Sequence, residues 1–186
     1  MKALLFNLIR PLYDWWKRRT DAKAKERLDV IAESRRRAHA SRDSRQADLL
    51  DADRRLFGQL VENSELAEVV SFLDEHNFGD AYLRQHFVWI DNFIREWDQP
   101  TREFHGTELQ ERLEEFLAHL KALRLGLTRD TFVVGQSMSH SRVPAEWMTT
   151  QRDRFWSVVK ELNQSAEDSV NAYNSLIRWG KSMLAV

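Results

Sequence analysis

The chain has no cysteine, and this absence removes disulfide frameworks, thiolate metal sites and thiol nucleophiles together. Glycine and proline are scarce, six and three in 186 residues, which favours long uninterrupted helices over a turn-rich sheet protein. The six glycines stand singly, so there is no glycine-rich phosphate loop, Rossmann turn or nucleophile elbow. Paired histidines four residues apart around a glutamate are missing, as is an aspartate-rich calcium loop. No apolar run approaches the roughly 20 residues that a spanning helix requires. Catalytic residues, metal ligands and cofactors are therefore all expected to be absent. His76, among Asp74, Glu75 and Asp80, reads as a helix end with surface carboxylates, and His86 as a hydrogen-bonded core histidine.

What is present is bulk and charge. Apolar residues make up 42%, including ten Phe, seven Trp and three Tyr, enough for one domain with a real core plus an extension. The net charge of -1 conceals a division along the chain. Residues 1–47 hold 13 Lys or Arg against 6 Asp or Glu, a balance of +7, and residues 48–186 hold 15 against 23, a balance of -8. A basic part of this kind meets something anionic, either a membrane surface or a nucleic acid, or the two halves attract each other within one molecule or between copies.

The first stretch, MKALLFNLIRPLYDWWKRR, places Leu5, Phe6, Ile9, Trp15 and Trp16 ahead of Lys17, Arg18 and Arg19. Its apolar run is interrupted by Arg10 and Asp14 and has no small-residue cleavage site, so it reads neither as a span nor as a signal peptide. An amphipathic segment with paired Trp and a basic flank has the composition that lies in the interface of an anionic bilayer. A groove on a partner protein, or packing within the same molecule, would use the same residues.

From Asp14 to Phe57 neither Gly nor Pro intervenes, and 44 residues of good helix formers would extend about 66 Å. Apolar content is thin, which predicts a solvated basic arm over 20–47 with a narrow contact seam, broken where Ser41 or Ser44 caps a new helix. Arg35, Arg36, Arg37, Arg42 and Arg45 are the candidate anion-binding residues.

The region 48–186 is expected to form an antiparallel bundle of four or five helices, giving an all-α protein. Two adjacent apolar rows over Asp80–Trp97, Leu83, Phe87, Ile90, Ile94 and Trp97 beside Tyr82, His86, Trp89 and Phe93, predict a central helix capped by Asp80 and wrapped by neighbours. Ser64 is the expected cap of a short helix before it. Thr107 with Gln110, and Thr150 with Asp153, have capping-box spacing, and Gly126 stands where a left-handed C-cap would end the helix that Thr107 begins. Between them, residues 127–148 read as an extended connector rather than a sheet. Phe155, Val158, Val159, Leu162, Ala166, Val170, Tyr173, Leu176, Ile177 and Leu184 form the buried stripe expected of the last helix.

Arg112 and His119 lie two helical turns apart and can face one direction. The pair is similar to the Arg and His of the helical HEPN ribonucleases, a resemblance that implies phosphate binding and proton transfer in RNA cleavage. Leu113 stands where that family has a polar residue. The residues as a whole favour a different expectation: a non-enzymatic interaction or scaffold subunit of the cytoplasm, held through residues 1–19 to the inner face of the membrane or to a partner protein, and able to self-associate. The alternative is a nucleic-acid-associated subunit using the basic cluster.

Overall fold

The computed structural model describes the backbone of residues 2–136 and 138–184, and the side chains of Trp15, Arg27, 29–136 and 138–184. The elements are α1 (Lys2–Val61), α2 (Ser64–Glu75), β1 (Tyr82–Leu83), α3 (Arg84–Trp97), a 3-10 turn (Pro100–Arg102), α4 (Thr107–Asp130), β2 (Phe132–Val134), β3 (His140–Arg142), α5 (Trp147–Thr150) and α6 (Arg152–Leu184). The protein is an all-α helical bundle carrying one small sheet. Contacts divide it into two compact units, Met1–Asp48 and Leu49–Val186.

The first unit is helical, and its described side chains are all exposed. Arg37 pairs with Glu33 one turn earlier at 3.0 Å, and the Ser34 hydroxyl donates to the Ile31 carbonyl at 2.8 Å. No helix break occurs at Ser41 or Ser44. A serine can act as a cap only where the chain leaves helical geometry, and the Ala- and Arg-rich neighbours give it no reason to do so.

The second unit is built on α4 and α6, 24 and 33 residues long, which pack along much of their length. Leu109, Leu113, Phe116, Leu117, Leu120, Leu123 and Leu127 of α4 meet the stripe from Phe155 to Leu184. Gly126 does not end α4, which continues to Asp130. A Cβ there would meet Leu162 Cδ2 at 2.9 Å, so the glycine permits close helix approach instead. The end of α1, through Phe57 and Leu60, and α2, through Leu66, Val69 and Leu73, complete the core.

The helix at 84–97 is not the central one. Ile90, Phe93 and Trp97 are buried, with Phe93 and Phe116 rings 5.7 Å apart, but Phe87, Trp89 and Ile94 are only half-buried and Val88 is exposed. It covers α2 and α4 from outside. Asp80 does not cap it, because Tyr82 and Leu83 are drawn into a strand and the N-cap falls on Leu83.

The other caps depart from expectation for a common reason, namely a nearer partner elsewhere in the fold. Asn63, not Ser64, caps α2, its side chain accepting the Leu66 amide at 2.9 Å. Gln110 turns away from a capping box to accept the Phe104 amide at 2.9 Å. The loop before α4 is held by Asp53 of α1, whose two oxygens accept the amides of His105 at 2.8 Å and Gly106 at 2.9 Å. Thr150 donates to the Glu146 carbonyl at 2.8 Å, so α5 is a separate turn and α6 begins at Arg152.

Residues 127–148 are not one extended connector: 127–130 finish α4, 132–134 and 140–142 are strands of a small sheet, and Trp147 begins α5. β2 and β3 form an antiparallel hairpin pairing Phe132 with Arg142, Val133 with Ser141 and Val134 with His140, and β1 pairs on the other side of β3. The order is β1-β3-β2. Gly135, at φ 83°, supplies the left-handed residue that opens the turn. Tyr82 and Ser141 are buried, and the Tyr82 hydroxyl and Thr131 Oγ1 lie 2.9 Å apart, tying β1 to the end of α4.

Candidate functional site

Three places nominated by the sequence, and one that was not, have defined geometry. The side chains of Leu5, Phe6, Ile9, Trp16, Lys17, Arg18 and Arg19 lie outside the described residues. Trp15 is described and is 57% exposed. Among the described residues, no helix is long and apolar enough to cross a membrane.

Arg35, Arg36, Arg37, Arg42 and Arg45 are all exposed on α1. At about 100° per residue, Arg35, Arg42 and Arg45 share one side with His39, whereas Arg36 and Arg37 turn away from it. The five guanidiniums therefore form no single stripe. Arg37 is engaged by Glu33 one helical turn earlier, at the spacing where such pairs form.

Arg112 is packed rather than presented. Its Nη1 donates to Ser175 Oγ at 2.5 Å, and its guanidinium carbon sits 4.8 Å from the centre of the Trp179 ring. Glu108, Glu111 and Glu115 surround it in a shallow pocket of about 290 Å³ that His119 does not line. A phosphate entering there would meet three carboxylates beside one already engaged cation.

His76 and His86 are brought together by packing that sequence spacing did not indicate. Phe72 of α2 lies between them, its ring 4.8 Å from His76 and 4.0 Å from His86, both stacked. Burial lowers the pKa of His76, with the charge and backbone of Asp80 opposing. Burial also lowers that of His86, helped by the charge of His76 and opposed by Glu68 and the Leu83 backbone. No cluster of three or more metal-binding side chains occurs among the described residues.

Unfolded histidine titrates near pH 6.5. Above that value neither state binds protons at these sites and the packing is fully available. As pH falls toward the lowered folded values, the unfolded chain takes up protons first and stability declines. The urea midpoint is thus expected to drop between about pH 7.5 and about pH 5.5. In a His76→Gln, His86→Gln double variant the drop should be smaller, and an unchanged slope would remove these two groups as its cause.

The place not nominated is a cleft of about 490 Å³ beside the sheet, lined by Phe132, Arg142, Pro144, Glu146 and Trp147 among others. The Phe132 and Trp147 rings meet edge to face at 6.3 Å, and the Arg154 guanidinium lies 3.7 Å from the Trp147 ring centre. The signals available in sequence were the β-branched and aromatic run TFVV and the glycine after it. Compared with known proteins, the chain matches no family model, no curated protein and no solved structure.

Proposed function

We propose that this protein is a non-enzymatic interaction or scaffold subunit, attached through the amphipathic residues 1–19 to an anionic membrane surface or to a partner protein. One observation supports the reading: in the unit Met1–Asp48, every described side chain, including Trp15, Val30 at 64% and Ile31 at 47%, is exposed. A helix that is polar all round has no apolar face to lay on a core, and contact with a partner or with lipid is one way such a helix is held. Leu5, Phe6, Ile9, Trp15 and Trp16 would enter the interface, and Lys17, Arg18 and Arg19 would meet head-group phosphates or an acidic surface.

Vesicle flotation tests this. The full chain is expected to float with phosphatidylcholine vesicles containing about 30% phosphatidylserine and not with phosphatidylcholine alone. A variant with Trp15→Ser, Trp16→Ser and Lys17, Arg18 and Arg19 changed to Glu should stay at the bottom of the gradient. Flotation by that variant, or flotation that ignores lipid charge, would sink the membrane form of the proposal. Failure of the intact chain to float with either vesicle would leave the protein-partner form.

A second reading, association with nucleic acid, is favoured by the exposed guanidiniums of Arg35, Arg36, Arg42 and Arg45. The ribonuclease reading has less behind it, since Arg112 is held by Ser175 and Trp179 among carboxylates.

A further inference from the structure

The cleft beside the sheet combines two features, each of which leaves room for a partner. The first is an open edge. In the order β1-β3-β2, β2 ends the sheet, and among the described residues no strand lies on its outer side. Proteins guard such edges with charged side chains, proline or bulges, because unpaired amides and carbonyls accept another chain. β2 carries no charge, proline or bulge, although at three residues its shortness is itself a guard: it is Phe132, Val133 and Val134, with Phe132 and Val133 exposed at 53% and 45%.

The second feature is an unpaired cation. Arg142 stands on the middle strand opposite Phe132, on the same face of the sheet and lining the cleft. Its side chain forms no hydrogen bond or ion pair with any described residue, and its Nε is withdrawn from solvent without a partner. Glu146 lines the same cleft and does not pair with it. A half-buried guanidinium left in this state is short of a carboxylate, which could bind it through two parallel hydrogen bonds.

We propose that the cleft binds an extended segment of a partner protein, which adds beside β2 as a fourth strand and carries an acidic side chain to Arg142 and an apolar one to Phe132 and Trp147. Neighbouring strands lie about 4.8 Å apart, so the added strand would run roughly 10 Å from β3, within the joint reach of arginine and glutamate side chains. Main-chain hydrogen bonds supply affinity in this mode of recognition, and the side-chain contacts supply selectivity. Burying Phe132 and Val133 adds the apolar contribution. The cleft lies wholly within Leu49–Val186, so this proposal is independent of how residues 1–19 attach.

The test uses the full chain and two fluorescein-labelled peptides of ten alternating Thr and Val residues, both ends capped, differing only in a central Glu or Lys. Fluorescence polarisation is expected to show the Glu peptide binding roughly tenfold or more tightly than the Lys peptide. Arg142→Gln should erase that difference. Phe132→Thr, on the exposed edge where folding depends little on it, should weaken both peptides. Hydrogen exchange should slow at residues 132–134 when the Glu peptide is added. Equal affinity for the two peptides, no binding of either, or protection that spares β2 would each overturn the proposal.

Discussion

Gly180→Ala is expected to destabilise the bundle by roughly 2 kcal/mol or more, although alanine is the better helix former by about 1 kcal/mol. Gly180 is buried in α6 against the ring of Phe57, itself 1% exposed. A Cβ at Gly180 would overlap three carbons of that ring, the farthest of them, Cδ2, at 2.7 Å. Neither side can yield cheaply, because the ring is enclosed by the core and the other partner is a helix backbone. Urea unfolding of Gly180→Ala, Phe57→Leu and the pair decides the matter. Each single change should cost stability. The pair should cost less than the sum, since the smaller side chain makes room for the added methyl. A Gly180→Ala protein as stable as the parent would show that α1 and α6 do not approach this closely.

Asp53→Ala should cost about 2–3 kcal/mol, a large effect for a change that removes no apolar contact. Asp53 is 5% exposed and accepts two amides in the turn before α4. Hydrogen bonds to a charged acceptor are about twice as strong as neutral ones, and a carboxylate facing the start of a helix also interacts favourably with the positive end of the helix dipole. Gly106 is exposed, so water would recover part of the loss and the figure stays below the full cost of two orphaned amides. Asp53→Asn keeps one acceptor oxygen and should fall between the parent and Asp53→Ala. Thermal and urea unfolding read both variants, and an Asp53→Ala protein with parental stability would deny the carboxylate its role in anchoring the turn.

These two residues also mark where sequence reading succeeds and fails. The apolar period of α4 and α6 is legible because each helix buries one continuous side, and Leu109 to Leu127 and Phe155 to Leu184 recur at helical spacing. A glycine or a polar residue carries no such period. Gly180 and Gly126 serve close approach between helices, and nothing local distinguishes that use from a helix end. Asp53 reaches a turn 52 residues away, and Gln110 is taken by Phe104, so local cap patterns lost to distant partners. The sheet escaped notice because its strands are two or three residues long, too short for alternation to show, and because β1 sits inside what looked like the start of a helix. The cleft followed the sheet into obscurity, since Arg142 and Phe132 become neighbours only through strand pairing.

The pairing of β1 with β3 also bears on the order in which the chain folds. Tyr82 and Ser141 are opposed across the ladder, 59 positions apart along the chain, whereas β2 and β3 are joined by a short turn. Closing the longer loop costs more entropy, and in the folded chain that loop contains α3 and α4. The β2–β3 pairing is thus expected to gain amide protection before β1 joins it, an order that pulse-labelled hydrogen exchange during refolding would read.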